Sequence, residues 1–338
     1  MLQEVMIALA ASAAAFASVM ATVPPWISVA QQRGLVGRDM NKADGRQVAE
    51  AGGLWVVVAT SLGLLVMEAL NTFLNGTLYQ PVPVLSLVSL LMLTGTIGLL
   101  DDILGWKKGV PQWVRVVSTI PAALPLMIAK YNAYIVHVPF LGVLYLGPLF
   151  PLLVVPLGVM GASNAYNMLA GYNGLEAGLG LVLFSFTAAF AAAKGLWFTT
   201  YASLVMAAAL AAFLYFNWYP ARVFPGNTMT YAVGAYYAGV VVLGDIAAFG
   251  LFMYLLYYVE LLLFIRGLVH GVYKENFGRP NQDGGLEPPY PMSYSLTHVM
   301  IRVQRSLRGR ATERGVTVGL MTIQAVVGAA ALALFMRA

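Results

Sequence analysis

The sequence contains no cysteine and has few charged residues. Its 338 residues include three His, 19 Lys and Arg, and 14 Asp and Glu, so charged side chains make up only 10% of the chain. The absence of cysteine excludes disulfides, thiolate zinc sites and thiol nucleophiles. With so few histidines, a bound metal would take oxygen ligands, which favours Mg²⁺ or Mn²⁺.

Apolar residues are abundant instead. They form 60% of the chain, against roughly 45–50% in soluble proteins, and this excess predicts an all-α polytopic membrane protein. A spanning helix needs about 20 mostly apolar residues, and ten runs approach that length. We predict a single integral membrane domain over residues 1–338. Its ten predicted transmembrane helices lie at 4–30, 52–74, 83–100, 113–130, 148–168, 177–194, 197–217, 229–245, 247–268 and 315–336.

The basic residues lie mainly on one side of these spans. Three of the 19 Lys and Arg residues, Lys130, Lys194 and Arg337, fall on one side, and the other sixteen fall in or beside the loops after spans 1, 3, 5, 7 and 9. By the positive-inside rule, the five basic loops face the cytoplasm and both termini face outward. Basic loops alone are usually topology signals, so the polar motifs within them must indicate the function.

The same five loops hold the unusual polar groups. The second loop opens with adjacent acids in "GLLDDILG", the third reads "SNAYNMLAGYNGLEAG", and the fourth contains "FPGNTMTY". Each motif has an ordinary explanation, such as helix capping for the acids or a turn for Pro-Gly-Asn. Together, carboxylates, amides and basic side chains indicate a cytoplasmic site for a divalent cation and phosphate. The helix that begins at the 225–228 turn is expected to add to anion binding.

Four strings in these loops resemble one known family. "GLLDDILG", "NAYNMLAGYNGLEAG", "FPGNTMTY" and "GRPNQDGGLEPPYPMSYS" are similar to motifs of the polyprenyl-phosphate N-acetylhexosamine-1-phosphate transferases, of the glycosyltransferase family 4 type. The match is closest to the archaeal and eukaryotic branch, which uses dolichyl phosphate. The resemblance covers essentially the whole chain, and the family's ten-span fold agrees with the ten runs.

The resemblance implies an activity. It implies transfer of an N-acetylhexosamine 1-phosphate, by default N-acetylglucosamine 1-phosphate, from its UDP derivative to polyprenyl or dolichyl phosphate. The products are UMP and a polyprenyl-diphosphate sugar, in the first membrane step of lipid-linked glycan (N-glycan) synthesis. Mg²⁺ is the expected cofactor, with Mn²⁺ as an alternative, and the plasma membrane is the expected location.

The resemblance also assigns roles to individual residues. Asp101 and Asp102 match the paired acids that deprotonate or position the lipid phosphate, and Arg115 stands where a basic residue lies near the phosphates. Asn167 and Asn227 are the expected metal ligands. The expected substrate-binding residues, from the first, third and fifth loops, are Lys42, Glu50, Asn173, Glu176, Lys274, Arg279 and Asn281. The family usually has Asp at the position of Asn227, so a neutral amide here replaces a metal-binding carboxylate.

Two other functions remain open. A transporter or flippase for a lipid-linked sugar would place charged groups near the bilayer midplane, often in repeated halves, whereas here the polar groups cluster at one face. A catalytically weakened relative would follow if Asn227 had removed an essential charge.

Glu260, near Arg266 on span nine, is expected to line the bundle interior or to extend to the interface. The expected partners are a UDP-N-acetylhexosamine, polyprenyl phosphate and membrane lipid, without nucleic acid; a homodimer, the identity of the sugar and the lipid length stay open.

Overall fold

Helices dominate the structure, as the composition predicts. The computed structural model describes residues 2–76, 80–104, 111–130, 135–138 and 142–337. The helices are α1 (Leu2–Gln32), α2 (Gly53–Asn75), α3 (Pro81–Leu104), α4 (Gln112–Ala122), α5 (Leu124–Ala129), α6 (Val155–Met168), α7 (Leu175–Ala193), α8 (Trp197–Asn217), α9 (Gly226–Leu243), α10 (Ala247–Met253), α11 (Leu255–Val269), α12 (Leu296–Arg308) and α13 (Glu313–Phe335). A π-helical turn, Phe150–Val154, leads into α6.

The strands form three short antiparallel hairpins. They pair β1 (Val36–Arg38) with β2 (Gln47–Ala49), β3 (Ile135–Val138) with β4 (Gly142–Tyr145), and β5 (Arg279–Pro280) with β6 (Leu286–Glu287). The first hairpin lies in the first basic loop and the third lies in the fifth basic loop. They are therefore loop structures on a helical bundle, and they add no sheet to its core.

Each predicted span coincides with one helix or one interrupted helix. The span predicted at 113–130 is divided into α4 and α5, with Pro121 and Pro125 on either side of the break, because proline lacks the N–H that a helix interior requires. The span predicted at 247–268 is divided into α10 and α11, which are bent by 54°. Within the described residues, six helices are long and apolar enough to cross a membrane, or seven if this bent pair is one span. The chain is therefore a mostly helical, multi-pass membrane protein.

Helix α9 lies at the centre of the bundle, packed between α3 and α6. Its side chains are buried from Thr228 to Val240. Two glycines allow close helix crossings: a Cβ on Gly98 of α3 would lie 2.4 Å from the Asn227 carbonyl oxygen, and one on Gly234 of α9 would lie 2.5 Å from the Ala162 carbonyl oxygen. Small residues at such crossings are typical of packed membrane helices. The packing brings the start of α9 against the end of α3, which carries the acid pair.

Backbone hydrogen bonds join the first and fourth basic loops. The Phe224 N–H donates to the Ala49 carbonyl at 2.7 Å, and the N–H groups of Gly52 and Gly53 donate to the carbonyls of Phe224 and Pro225 at 3.0 Å each. A Cβ on Gly53 would lie 2.3 Å from the Pro225 oxygen. The starts of α2 and α9 are therefore fixed to each other, and the first loop lies beside the acid pair.

Candidate active site

Asp102 caps the N-terminus of α9. Its Oδ1 accepts a hydrogen bond from the Asn227 N–H at 2.7 Å, and its Oδ2 accepts bonds from the Thr228 N–H at 3.0 Å and the Thr228 hydroxyl at 2.6 Å. The first N–H groups of a helix have no intrahelical partner, and the helix dipole favours an anion there. Gly226 has a φ of +67°, and a Cβ on it would lie 2.2 Å from Asp102 Oδ2. The 225–228 turn does bind an anion. That anion is the Asp102 carboxylate, whereas the sequence suggested that the turn would bind a substrate.

Asn227 and Thr230 connect the acid pair to Asn167. The Asn227 amide donates to Asp101 Oδ2 at 2.7 Å. One helical turn further along α9, the Thr230 hydroxyl donates to Asn167 Oδ1 at 2.7 Å. The ends of α3 and α6 are thus both hydrogen-bonded to the first turns of α9. The paired acids and the two expected metal ligands therefore meet at one place.

The donor set at this place suits a hard cation. Among the described residues there is no group of three or more His, Cys, Asp or Glu that could hold a metal ion. The oxygen donors are instead the carboxylates of Asp101 and Asp102 and the amide oxygens of Asn167 and Asn227. Mg²⁺ is commonly bound by one or two carboxylates together with water and substrate phosphates. The residues therefore fit Mg²⁺ without a third acid.

Lys42 lies in a second polar cluster. Its ammonium donates to Asp39 at 2.8 Å, to Asn173 Oδ1 at 3.1 Å and to the Glu313 carboxylate, and it lies 4.4 Å from the centroid of the Tyr219 ring. The Asn173 amide also donates to Asp39 at 3.2 Å, and the Asn173 N–H donates to Glu313 at 2.8 Å. These contacts join the first loop, the third loop and the start of α13. Separating the three segments would leave the buried charges without partners, which is costly.

The Asn173 side chain is only 3% exposed. Besides Lys42, its Oδ1 accepts a hydrogen bond from the Ala221 N–H at 2.8 Å. Its backbone carbonyl accepts the Thr317 hydroxyl at 3.1 Å. The Asn173 amide thus orders the surrounding chain, and its contact with a nucleotide stays a prediction.

Two glutamates lie between the clusters. Glu176 Oε1 accepts the Gly171 N–H at 2.8 Å, while its Oε2 is buried and has no hydrogen-bond partner among the described residues. Burial, together with the charges of Asp102 and Glu176, raises the pKa of Glu50 to about 7. Glu50 therefore lies within electrostatic range of Asp102 and Glu176, and its pKa is close to neutral pH.

The three expected residues of the fifth loop lie in different environments. The Lys274 ammonium donates to the Glu260 carboxylate and, at 2.7 Å, to Asn276 Oδ1. Arg279 is exposed on β5, and Asn281 donates to Glu287 at 3.4 Å within the β5–β6 hairpin. In the described structure the Lys274 charge is directed at a buried carboxylate of α11, and its role in substrate binding stays a prediction.

Arg115 lies on α4, and its side chain is outside the described part of the chain, as are residues 105–110 of the second loop.

Several polar residues in the two clusters and the fifth loop have no predicted role. They are Asp39, Asn41, Thr228, Thr230, Asn276 and Glu313. Asp39 and Asn41 stand beside Lys42 in a loop with several polar residues, which is a signal for closer attention. The others carry no signal that distinguishes them from ordinary capping residues.

Comparison with known proteins identifies the family. Residues 84–245 match the profile of glycosyl transferase family 4. A Saccharolobus solfataricus protein is 33% identical over 89% of this chain and 88% of its own, and a Sulfolobus acidocaldarius protein is 32% identical over 82% of each. Both are provisionally named UDP-N-acetylglucosamine–dolichyl-phosphate N-acetylglucosaminephosphotransferase. A Dictyostelium discoideum protein, which carries that name without qualification, is 24% identical over 89% of this chain and 82% of its own. The predicted family is thereby confirmed, and the chain belongs to glycosyl transferase family 4.

Proposed function

We propose that this protein transfers N-acetylglucosamine 1-phosphate from UDP-N-acetylglucosamine to dolichyl or another polyprenyl phosphate. An oxygen of the lipid phosphate attacks the β-phosphorus of the nucleotide sugar, the bond from that phosphorus to the bridging oxygen breaks, and UMP leaves. The names of the relatives support this substrate pair. The observation that carries the proposal is the junction of α3, α6 and α9, where Asp101, Asn227 and Asn167 are joined through α9.

The two acids have different roles in this proposal. Both oxygens of Asp102 accept hydrogen bonds from the first turn of α9, so we assign Asp102 to holding that helix start in place. We assign Asp101 to the acceptor phosphate, which it positions and whose remaining proton it takes, in the manner of a general base.

The remaining residues serve the donor. Asn167 and Asn227 would hold Mg²⁺, which when bound supplies positive charge to neutralise the diphosphate oxygens. We assign Arg279 and Arg115 to the phosphates, Glu50, Asn173 and Glu176 to the nucleotide, and Asn281 to the fifth-loop wall. Lys42 fixes the Asn173 turn through its three hydrogen bonds.

The location of the site suits a reaction between a soluble and a lipid substrate. The C-terminal ends of α3 and α6 and the N-terminal end of α9 meet at one end of the bundle, beside the basic first, fourth and fifth loops. Following the positive-inside rule, we propose ten spans in the plasma membrane, with both termini outside and the site at the cytoplasmic face. There a nucleotide can enter from water and a polyprenyl phosphate from the side.

The test is a reconstitution of the reaction. Purified protein is incubated with Mg²⁺, polyprenyl phosphate and a panel of UDP-sugars, and UMP release is measured. We expect release to require both UDP-N-acetylglucosamine and the lipid phosphate, and to be lost in Asp101→Asn. Glu68→Gln is the control, and this variant should keep its activity. Glu68 lies away from these loops, and its carboxylate accepts the Gln80 N–H at 3.0 Å.

The outcomes separate the alternatives. No UMP release with any UDP-sugar would overturn the proposal. Movement of a lipid-linked sugar across vesicles without UMP release would favour the flippase. UMP release that does not depend on the lipid phosphate would indicate a hydrolase instead.

A further inference from the structure

Asn276, in the fifth loop, holds the end of α6. Its amide donates to the carbonyls of Met168 and Ala170, each at 2.9 Å. The last carbonyls of a helix have no intrahelical partner, so Asn276 completes that of Met168 and also binds the carbonyl of Ala170, two residues beyond the helix. The Asn276 backbone carbonyl in turn accepts the hydroxyls of Tyr172 at 3.2 Å and Thr297 at 2.8 Å. The fifth loop thus contacts the chain between Asn167 and Asn173 on both sides of its turn.

The neighbours of Asn276 close the same turn. The Gly278 N–H donates to Asn41 Oδ1 at 3.0 Å, and the Asn41 amide donates to the Gly171 carbonyl at 2.8 Å. A Cβ on Gly171, whose φ is +103°, would lie 2.8 Å from the ring of Phe277. The carbonyls of residues 168, 170 and 171 are therefore all bonded to side-chain amides from other loops, so contacts from outside fix the conformation of this turn.

A buried ion pair orients Asn276. The Lys274 ammonium donates to both Glu260 and Asn276 Oδ1, which leaves the Asn276 NH₂ facing the two carbonyls. The other Glu260 oxygen accepts the Ser295 hydroxyl at 3.1 Å and the Leu296 N–H at 2.7 Å, at the start of α12. The side chains are 0% exposed at Glu260 and 5% at Lys274. Loss of either charge would leave the other buried and uncompensated.

We propose that Asn276 is a positioning residue for the turn that carries Asn167 and Asn173, and that the Glu260–Lys274 pair sets its orientation. These three residues act through the protein and contact neither substrate nor reacting atoms. Lys274 therefore belongs to the scaffold of the fifth loop. The effect on substrate rests on the proposed function, whereas the effect on the turn itself does not.

The first test uses Asn276→Ala with Asn71→Ala as a matched control. Asn71 is buried and Asn276 is half-buried, and the Asn71 amide also donates to a main-chain carbonyl, that of Met67, at 2.9 Å. We expect Asn276→Ala to raise the KM for UDP-N-acetylglucosamine about tenfold or more, the scale of two lost hydrogen bonds. The kcat and the KM for the lipid phosphate should change much less. Asn71→Ala should leave all three unchanged.

Hydrogen exchange measured by mass spectrometry makes the test independent of activity. The backbone amides of residues 168–174 should exchange faster in Asn276→Ala than in the wild type. Their exchange rates should be unchanged in Asn71→Ala. Unaltered exchange there would overturn the inference whatever the kinetics show. If the wild type releases no UMP, the proposed function fails while the exchange result still decides the positioning role.

The ion pair is tested by Glu260→Gln, Lys274→Met and the double variant. Each single variant leaves one charge uncompensated, so both should lower thermal stability and raise the KM for the nucleotide sugar. The double variant should recover stability, because no buried charge remains, but not the KM, because Asn276 still lacks its lysine. Recovery of both would mean that the pair serves folding only, and would overturn its role in positioning.

Discussion

The two polar clusters at this end of the bundle compensate their charges differently. Asp102 accepts its hydrogen bonds from two N–H groups and a hydroxyl, all of them neutral donors. Lys42, by contrast, donates to two carboxylates, Asp39 and Glu313. Neutral donors stabilise a negative charge without offsetting it, whereas the Lys42 ammonium offsets one of the two carboxylate charges beside it. The comparison shows that hydrogen bonds from neutral groups join α3 to α9, whereas ion pairs join the loops of the Lys42 cluster.

The largest expected effect is on turnover, at the acid pair. Asp101→Asn should lower UMP release by about 10²–10⁴-fold, the usual contribution of a general base, with little change in thermal unfolding. Asp102→Asn should also lower turnover and, because it weakens a helix cap, should destabilise the protein by about 0.5–2 kcal/mol. Activity and unfolding are measured on the same preparations. Rates like those of the wild type in both variants would remove the pair from the mechanism.

The next effect is on stability, in the Lys42 cluster. Lys42→Met should destabilise the protein by about 3–5 kcal/mol, because two buried carboxylates lose their cation. Lys130→Met is the control, since Lys130 pairs with Asp245, whose side chain is 70% exposed, and it should lose no more than about 1 kcal/mol. Chemical unfolding in detergent measures both. Equal losses in the two variants would contradict the assignment of Lys42 to a buried ion-pair cluster.

A smaller effect is expected on the requirement for Mg²⁺. Asn227→Asp should lower the Mg²⁺ concentration for half-maximal activity by about tenfold, because a charged ligand binds more strongly than an amide. Asn167→Ala should raise that concentration or abolish activity. Asn164→Ala is the control on the same helix, since its amide donates to the Met160 carbonyl at 2.8 Å. If neither Asn227→Asp nor Asn167→Ala shifts the midpoint, these amides do not hold the metal.

The smallest expected effect is on pH dependence. The folded pKa of Glu50, about 7, lies above its ordinary value of 4.5, so the folded protein binds this proton more tightly than the unfolded chain. Stability should therefore fall as the pH rises from about 5 to 8, by about 1–2 kcal/mol after allowing for partial exposure.

The matched pair for this prediction is Glu50→Gln and Glu287→Gln. Glu50→Gln should reduce the loss of stability between pH 5 and 8. Glu287→Gln should leave it, because Arg305 lowers the pKa of Glu287, which stays ionised throughout that range. Thermal unfolding at several pH values decides the matter, and an undiminished slope in Glu50→Gln would refute the assignment.

The sequence predicted the helices well because apolar runs depend only on local composition. All ten runs coincide with helices, and the two interruptions lie within predicted spans. The criterion of about 20 apolar residues overlooks α12, an amphipathic helix of 13 residues. Whether ten of these segments cross the membrane stays a prediction.

The candidate site was predictable in its residue types more than in its pairings. The acid pair and Asn227 do meet, as the motifs suggested. The partners of Asn276, however, are 106 and 108 residues away, and Glu313 is 271 residues from Lys42. Which carbonyl an amide satisfies depends on how loops fold back, and no local pattern encodes it. Glu260 does line the interior of the bundle, and its ion-pair partner is Lys274 of the fifth loop.

The amide at position 227 also bears on how the bundle assembles. Because the Asn227 side chain donates to Asp101, the start of α9 can dock on α3 with its own hydrogen bonds. An aspartate there would place a third carboxylate beside Asp101 and Asp102, and their repulsion would need a cation before the helices could meet. In this chain, the docking of α9 on α3 therefore does not depend on a cation at position 227. The two helices can pack before the proposed Mg²⁺ binds.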